Sequence, residues 1–141
     1  MPEQQTIERA REDAREGKSP SAQAGEFVRE EIHHVREGKH GARSPQQAIA
    51  IGLSKARRAG VKLKAPKRPA ALKRKAQQDA KAGERAGRKR SRGVRNALKR
   101  ESRASTSRQA LSRQAKTSAA KRSGRARSAA ASKAARTRKA A

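Results

Sequence analysis

The sequence predicts a mostly α-helical chain made of a small N-terminal module, residues 1–63, and a long basic tail, residues 64–141. Residues 1–63 hold 12 Lys and Arg against 9 Asp and Glu, whereas residues 64–141 hold 27 against 3, so they carry +3 and +24 of the net charge of +27. Of the 14 large apolar residues beyond Met1, ten lie in the module and four in the tail. Because low hydrophobicity with high net charge is typical of disorder, we expect a tail that is largely disordered or conditionally helical.

The first helix is predicted near residues 3–16. This stretch is compatible with a helix and ends at Gly17, but Ile7 is its one large apolar residue. A single apolar side chain buries little surface, so we expect a weak helix that is frayed or loosely docked.

The two main helices are predicted near residues 20–37 and 45–59. Each is preceded by a serine that can cap the helix and a proline suited to its first turn, and each is followed by a glycine suited to a left-handed end. These residues are Ser19-Pro20 and Gly38 for the first helix, and Ser44-Pro45 and Gly60 for the second. Gln47 completes a capping box with Ser44.

Apolar residues recur every three or four positions in both helices, which places them on one face of each. The spacing leaves open whether Ile32 or Glu31 shares this face. The candidate core residues are Phe27, Val28, Ile32, Val35, Ile49 and Leu53. Gly52 would let the helices approach closely as a hairpin. Since so small a core is marginal, we expect a homodimer or a protein partner through residues 20–59.

Three runs of sequence carry a resemblance to a known family. They are REGKSPSAQAGEFVREEI from Arg15, HVREGKHGARS from His34 and QAIAIGLSKARRAG from Gln47. Together they resemble a small bacterial domain family of unknown function, over roughly residues 3–63. The resemblance implies a bacterial, cytoplasmic protein and implies no reaction. The tail is similar in composition to bacterial histone-H1-like proteins, whose Ala/Lys/Arg tails bind DNA.

The basic tail indicates a polyanionic partner, because each phosphate that a cation neutralises releases counterions. The chain has no Trp or Tyr with which to stack unpaired bases, so we expect sequence-independent binding, with duplex DNA favoured and RNA as the alternative. The candidate residues are Lys55, Arg57, Arg58, Lys62, Lys64, Lys67, Arg68, Lys73, Arg74, Lys75, Arg88, Lys89, Arg90, Arg92, Arg95, Lys99 and Arg100. Residues 91–120 have few helix breakers, and we expect them to become helical on DNA.

Other classes of function find little support. The chain has no Cys and no apolar stretch long enough to span a membrane. The polar residues between Glu30 and His40 are the densest group of metal-ligand types, but Glu30 and His33 lack the matching ligands of a di-iron bundle, and a solvated helix face is favoured. We therefore predict no metal, no cofactor and no enzyme. A nucleoid-associated protein is expected; the alternatives are an RNA- or ribosome-associated protein and an adaptor acting through the hairpin.

Overall fold

The computed structural model describes residues 2–66, 69–84 and 92–140. Along these residues lie seven α-helices and one short 3₁₀ helix: α1 (Gln4–Arg15), α2 (Pro20–Arg36), α3 (Pro45–Arg58), α4 (Ala70–Glu84), α5 (Arg92–Arg100), the 3₁₀ helix (Ala104–Thr106), α6 (Arg108–Ala120) and α7 (Gly124–Ala140). None of these residues lies in a strand. The predicted mostly helical fold class is therefore confirmed. No helix in the described ranges is long and apolar enough to cross a bilayer.

The predicted serine caps begin α2 and α3. Oγ of Ser19 accepts a hydrogen bond from the backbone N–H of Ala22 at 3.3 Å, and Oγ of Ser44 accepts one from the N–H of Gln47 at 3.2 Å. Each bond satisfies an amide that the first helical turn would otherwise leave unpaired. Oε1 of Gln47 accepts in turn from the N–H of Arg43 at 2.6 Å, one residue before the donor of a standard capping box.

The predicted glycine ends are also confirmed. Gly17, Gly38 and Gly60 follow the first three helices with φ angles of +72°, +78° and +95°. Glycine adopts this left-handed conformation without a steric penalty, so it reverses the chain after each helix.

α2 and α3 pack against each other as an antiparallel hairpin. Ala56, near the end of α3, packs with Phe27 in the first half of α2, whereas Ala48, near the start of α3, packs with Val35 near the end of α2. Gly52 lies at the crossing, where an added Cβ would come within 2.6 Å of Cα of Val28. The close approach predicted for this glycine is confirmed.

The predicted core residues divide into two groups. Phe27 and Val35 are completely buried. The other four are half-buried: Val28, Ile32, Ile49 and Leu53. Glu31 is completely buried, so it is Glu31 rather than Ile32 that follows Phe27 on the buried face of α2.

Elements of the same chain cover the hairpin. α1 packs on α2 and buries Thr6 and Ala10, so this helix is docked rather than loosely placed. α4 packs on α3, where it buries Ala76 and Asp79. These contacts cover part of the hairpin with elements of the same chain, and the homodimer or protein partner through residues 20–59 stays a prediction.

The segment from Leu98 to Thr106 docks on the loop between α2 and α3. The N–H of Gly41 donates to the carbonyl oxygen of Leu98 at 2.7 Å, and the N–H of Ala42 donates to that of Ser102 at 2.9 Å. A Cβ on Gly41 would overlap the carbonyl of Glu101, so the contact requires glycine. This long-range docking places part of the predicted tail against the N-terminal module.

The chain forms two compact units that divide after Ser107. We call residues up to Ser107 the first unit and residues from Arg108 the second unit. The first unit thus extends beyond residue 63, the predicted end of the N-terminal module. The second unit contains α6 and α7, so a largely disordered tail is not confirmed, and conditional helicity stays a prediction. Alanine, the best helix former, supplies seven of the 17 residues of α7.

Within the predicted conditional helix over residues 91–120, the described residues form two helices, and the dependence of these helices on DNA stays a prediction. α5 ends at Arg100 and α6 begins at Arg108, and the 3₁₀ helix lies between them. The docking of Leu98 to Thr106 on the α2–α3 loop accompanies this interruption.

Candidate nucleic-acid interface

Twelve of the 17 candidate nucleic-acid-binding residues lie within the described ranges, and the structure separates them by exposure and by partner. The other five lie outside the described residues: Lys67, Arg68, Arg88, Lys89 and Arg90. Eight of the twelve are exposed and form no ion pair with another described residue: Lys62, Lys64, Lys73, Arg74, Arg92, Arg95, Lys99 and Arg100. These eight remain candidates for contacts to phosphate. Arg57 is half-buried, and its Nε has no hydrogen-bond partner.

α5 presents four of the exposed candidates on a docked helix. Leu98 is buried, and its carbonyl oxygen accepts the hydrogen bond from Gly41. Arg92, Arg95 and Lys99 are separated by three and four positions, so they share one face of the helix. The buried Leu98 therefore holds the short basic face of α5 at the surface of the first unit.

Lys55 has another role than the one predicted for it. Its Nζ lies 2.8 Å from Oε1 of Glu30 and 2.8 Å from Oε2 of Glu31, and only 12% of its side chain is exposed. An ammonium group that two buried carboxylates hold is not available to a phosphate. The sequence spacing in α3 indicates that Lys55 lies near the face that packs on α2, because Lys55 follows Gly52 by three residues.

Glu30, Glu31, His40 and Lys55 form a buried cluster, and the pKa values of Glu31 and His40 reflect the charges within it. Burial raises the pKa of Glu31, but the contacts of His40 and Lys55 outweigh it and hold the pKa at about 2. The neighbouring Glu31 in turn raises the pKa of His40 above its ordinary value, against the effect of burial. Glu31 is therefore an anion in the folded protein, and the cluster is a set of buried ion pairs between α2, α3 and their loop.

Arg58 and Lys75 also have partners within the chain. Nη2 of Arg58 donates to Oδ1 of Asp79 at 2.9 Å, Nζ of Lys75 donates to the same oxygen at 3.0 Å, and Oγ of Ser54 donates to Oδ2 at 2.6 Å. Burial raises the pKa of Asp79, but these hydrogen bonds bring it below its ordinary value. Arg58 thus helps to dock α4 on α3, whereas Lys75 pairs with Asp79 within α4.

The second unit carries its positive charge differently. It contains no Asp or Glu and eleven Lys and Arg. All eleven are exposed, and no ion pair between described residues involves any of them. They are Arg108, Arg113, Lys116, Lys121, Arg122, Arg125, Arg127, Lys133, Arg136, Arg138 and Lys139. The individually named candidates stop at Arg100, but these cations belong to the basic tail that is predicted to meet a polyanion.

The spacing in α7 concentrates part of this charge on one side. Arg125, Lys133, Arg136 and Lys139 lie eight, three and three positions apart, which places them within about 120° around the helix axis. They span about 21 Å along the axis at 1.5 Å per residue. A duplex presents one negative charge per about 1.7 Å, so several phosphates lie within reach of this face.

Comparisons of the chain with protein-family models, with curated proteins and with solved structures find no match.

Proposed function

We propose that the protein binds nucleic acid, with duplex DNA as the favoured ligand, by neutralising phosphates without reading the base sequence. The observation that carries this proposal is the second unit, in which eleven exposed cations have no acidic residue in their own unit with which to pair. Their mutual repulsion opposes the compact state, and a polyanion relieves it. Counterion release from the bound phosphates supplies the driving force.

The aromatic content of the chain supports binding without base recognition. Phe27 is the only aromatic residue among Phe, Trp and Tyr, and it is completely buried in the first unit. No such ring is left to stack on an unpaired base, which is how single-strand-binding and many RNA-binding modules hold their ligands. Contacts from lysine and arginine to phosphate position a protein on DNA but carry no sequence information.

In this proposal the first unit provides a folded body with further cations on its surface. The exposed basic face of α5, with Arg92, Arg95 and Lys99, adds to the charge of the second unit. The role that fits is a histone-H1-like one on the bacterial nucleoid, in which the basic segments neutralise and condense DNA. The proposal assigns no reaction to the chain.

The test is the salt dependence of binding by the full chain. Fluorescence anisotropy would follow its binding to two labelled duplexes of equal length and unrelated sequence, between about 50 and 200 mM salt. If about ten phosphates are neutralised, the logarithm of the binding constant falls against the logarithm of the salt concentration with a slope near −9, and equally for both duplexes. An affinity that does not change with salt would overturn the proposal.

Competition separates DNA from RNA as the ligand. A structured RNA, matched to the duplex in its number of phosphates, is added to the preformed DNA complex. If the duplex is the favoured ligand, more RNA than unlabelled duplex is needed to displace the label. Displacement at a lower RNA concentration would assign the protein to RNA instead, and no binding of either nucleic acid would favour the adaptor alternative.

A further inference from the structure

Three side chains with metal-binding atoms meet where α2 joins the α2–α3 loop. Glu31 and His34 lie on α2, and His40 lies on the loop. Each offers one ligand atom, and these three atoms lie within 4.8 Å of one another. The side chain of Glu31 is completely buried, and those of His34 and His40 are 12% and 15% exposed. The group is thus largely shielded from solvent, unlike an exposed patch of acidic residues.

The carboxylate of Glu31 has unused capacity to accept. Nζ of Lys55 lies 2.8 Å from Oε2 and Nε2 of His40 lies 3.2 Å from Oε1, which are ion-pair distances. Each carboxylate oxygen offers two lone pairs, so these ion pairs leave Oε1 able to accept a further cationic ligand.

Both histidines keep one ring nitrogen directed toward an acceptor. Nδ1 of His40 lies 3.0 Å from the carbonyl oxygen of Gly41, and Nε2 of His34 lies 2.9 Å from Oε1 of Glu3. These oxygens only accept, so the two nitrogens carry protons. Nε2 of His40 and Nδ1 of His34 then remain as the nitrogens with which a neutral ring coordinates a metal. Histidines that bind metals are held in this way by a carbonyl or a carboxylate on the other nitrogen.

The surrounding charge favours an added cation. The carboxylates of Glu3, Glu30, Glu31 and Glu37 face two ammonium groups, those of Lys39 and Lys55, so carboxylates outnumber lysines around the cluster. Lys55 contacts Oε2 of Glu31, whereas His40 lies beside Oε1. The ammonium group and an ion between the histidines would therefore use different oxygens of the same carboxylate.

We propose that Glu31, His34 and His40 bind one divalent transition-metal ion of the zinc type. Two imidazole nitrogens and one carboxylate oxygen suit such an ion, whereas Mg²⁺ and Ca²⁺ prefer oxygen ligands alone. A water molecule completes four-coordination. Ligands about 2.0–2.1 Å from a tetrahedral ion lie about 3.4 Å apart, so binding draws the three side chains closer. The ion joins α2 to the loop on which the Leu98–Thr106 segment docks, and this inference does not depend on nucleic-acid binding.

The test is isothermal titration of the full chain with Zn²⁺ at neutral pH, without DNA. The chain has three histidines and no cysteine, so the background of other strong zinc ligands is low. His33 lies on the same helix and is exposed outside the cluster, which makes His33→Gln a matched control for His34→Gln and His40→Gln. We expect one ion per chain, with affinity at least about tenfold weaker in the two cluster variants and unchanged in the control.

A measurement on the unsubstituted protein covers the case in which a variant does not fold. Long-range ¹H–¹⁵N spectra of the imidazole rings report which nitrogens are protonated or bound to metal. On addition of Zn²⁺ we expect the ring-nitrogen shifts of Nδ1 of His34 and Nε2 of His40 to change at one equivalent, with those of His33 unaffected. Equal changes at all three histidines, or no binding at one equivalent, would overturn the proposal.

Discussion

Charge is arranged in opposite ways in the two units. Among the described residues of the first unit, nine acidic side chains form ion pairs: Glu3, Asp13, Glu16, Glu26, Glu30, Glu31, Glu37, Asp79 and Glu101. Two of these pairings, around Glu31 and Asp79, are buried and join neighbouring helices. In the second unit, eleven cations are exposed and no acidic residue is present.

The packing of the two units follows the same division. The first unit buries Phe27 and Val35 between helices that approach closely at Gly52. In α6 of the second unit no residue is fully buried, and Leu111 is half-buried. Interior contacts therefore stabilise the first unit, whereas the second unit leaves its lysines and arginines exposed to an external polyanion.

The largest expected effect is on the core of the first unit. Phe27→Ala removes the phenyl ring from a fully buried position, and we expect a loss of about 3–5 kcal/mol of unfolding free energy. Leu111→Ala, in the half-buried position of α6, should cost no more than about 1 kcal/mol because less surface is lost. Urea denaturation followed by circular dichroism measures both. Equal losses would contradict the contrast in packing.

The next effect tests the close approach of α2 and α3. Gly52→Ala places a methyl group within 2.6 Å of the backbone of Val28, and we expect it to cost about 1–3 kcal/mol. Gly25→Ala is the matched control, since Gly25 lies in α2 with nothing within 4 Å of an added Cβ. This control should gain about 0.5–1 kcal/mol from helix propensity. Thermal unfolding of both variants measures the difference, and two changes of the same sign would refute the account.

A smaller effect concerns the docking of α4. Asp79→Asn weakens the bonds from Arg58 and Lys75 and should cost about 1–2 kcal/mol at neutral pH. Asp13→Asn, which removes a pair between Lys18 and a more exposed carboxylate, should cost less because solvent screens that pair. Urea denaturation of both variants at neutral pH gives the comparison.

The pH dependence of the same contact has a defined sign. Because the pKa of Asp79 is lowered in the folded state, its contribution is present above the ordinary carboxyl pKa and is lost as the pH falls through the lowered value. The stability difference between the wild type and Asp79→Asn should therefore shrink below about pH 4. A difference that stays constant down to about pH 2 would contradict the ionic docking of α4.

The smallest expected effect shows whether DNA binding depends on where the positive charges lie or only on the net charge. Arg136 and Arg138 lie on α7, and Arg11 and Arg15 lie on α1; all four are exposed. Replacing either pair with glutamine removes the same charge. If the second unit binds the phosphates, replacing the α7 pair makes the slope of log binding constant against log salt less steep by about 1.8. Replacing the α1 pair then leaves this slope unchanged. Equal reductions would show that only net charge matters.

The sequence allows the ends of the first helices to be predicted because these ends depend on neighbouring residues. Ser19 and Ser44 cap α2 and α3, and Gly38 and Gly60 follow them in the left-handed conformation. Gly52 was also identifiable, since a glycine inside a regular apolar pattern indicates close packing.

The remaining features depend on contacts between distant residues. Helical spacing places Glu31 and Ile32 equally well on the inner face of α2, and the choice follows from Lys55 and His40, which neutralise the buried Glu31. The docking of Leu98 on Gly41 joins two residues that are far apart in the chain. Leu98 itself lies in a stretch whose composition resembles that of disordered segments. Composition does not reveal such a contact, so it does not predict that the first unit extends to Ser107.

The most direct test of the central claim is the salt dependence of DNA binding by a full-length variant in which the six cations of α7 become glutamine. These cations are Arg125, Arg127, Lys133, Arg136, Arg138 and Lys139. Their replacement leaves the ion pairs of the first unit in place. If the exposed charge of the second unit binds the phosphates, the slope changes from near −9 to about −4. A slope that stays near −9 would contradict the account.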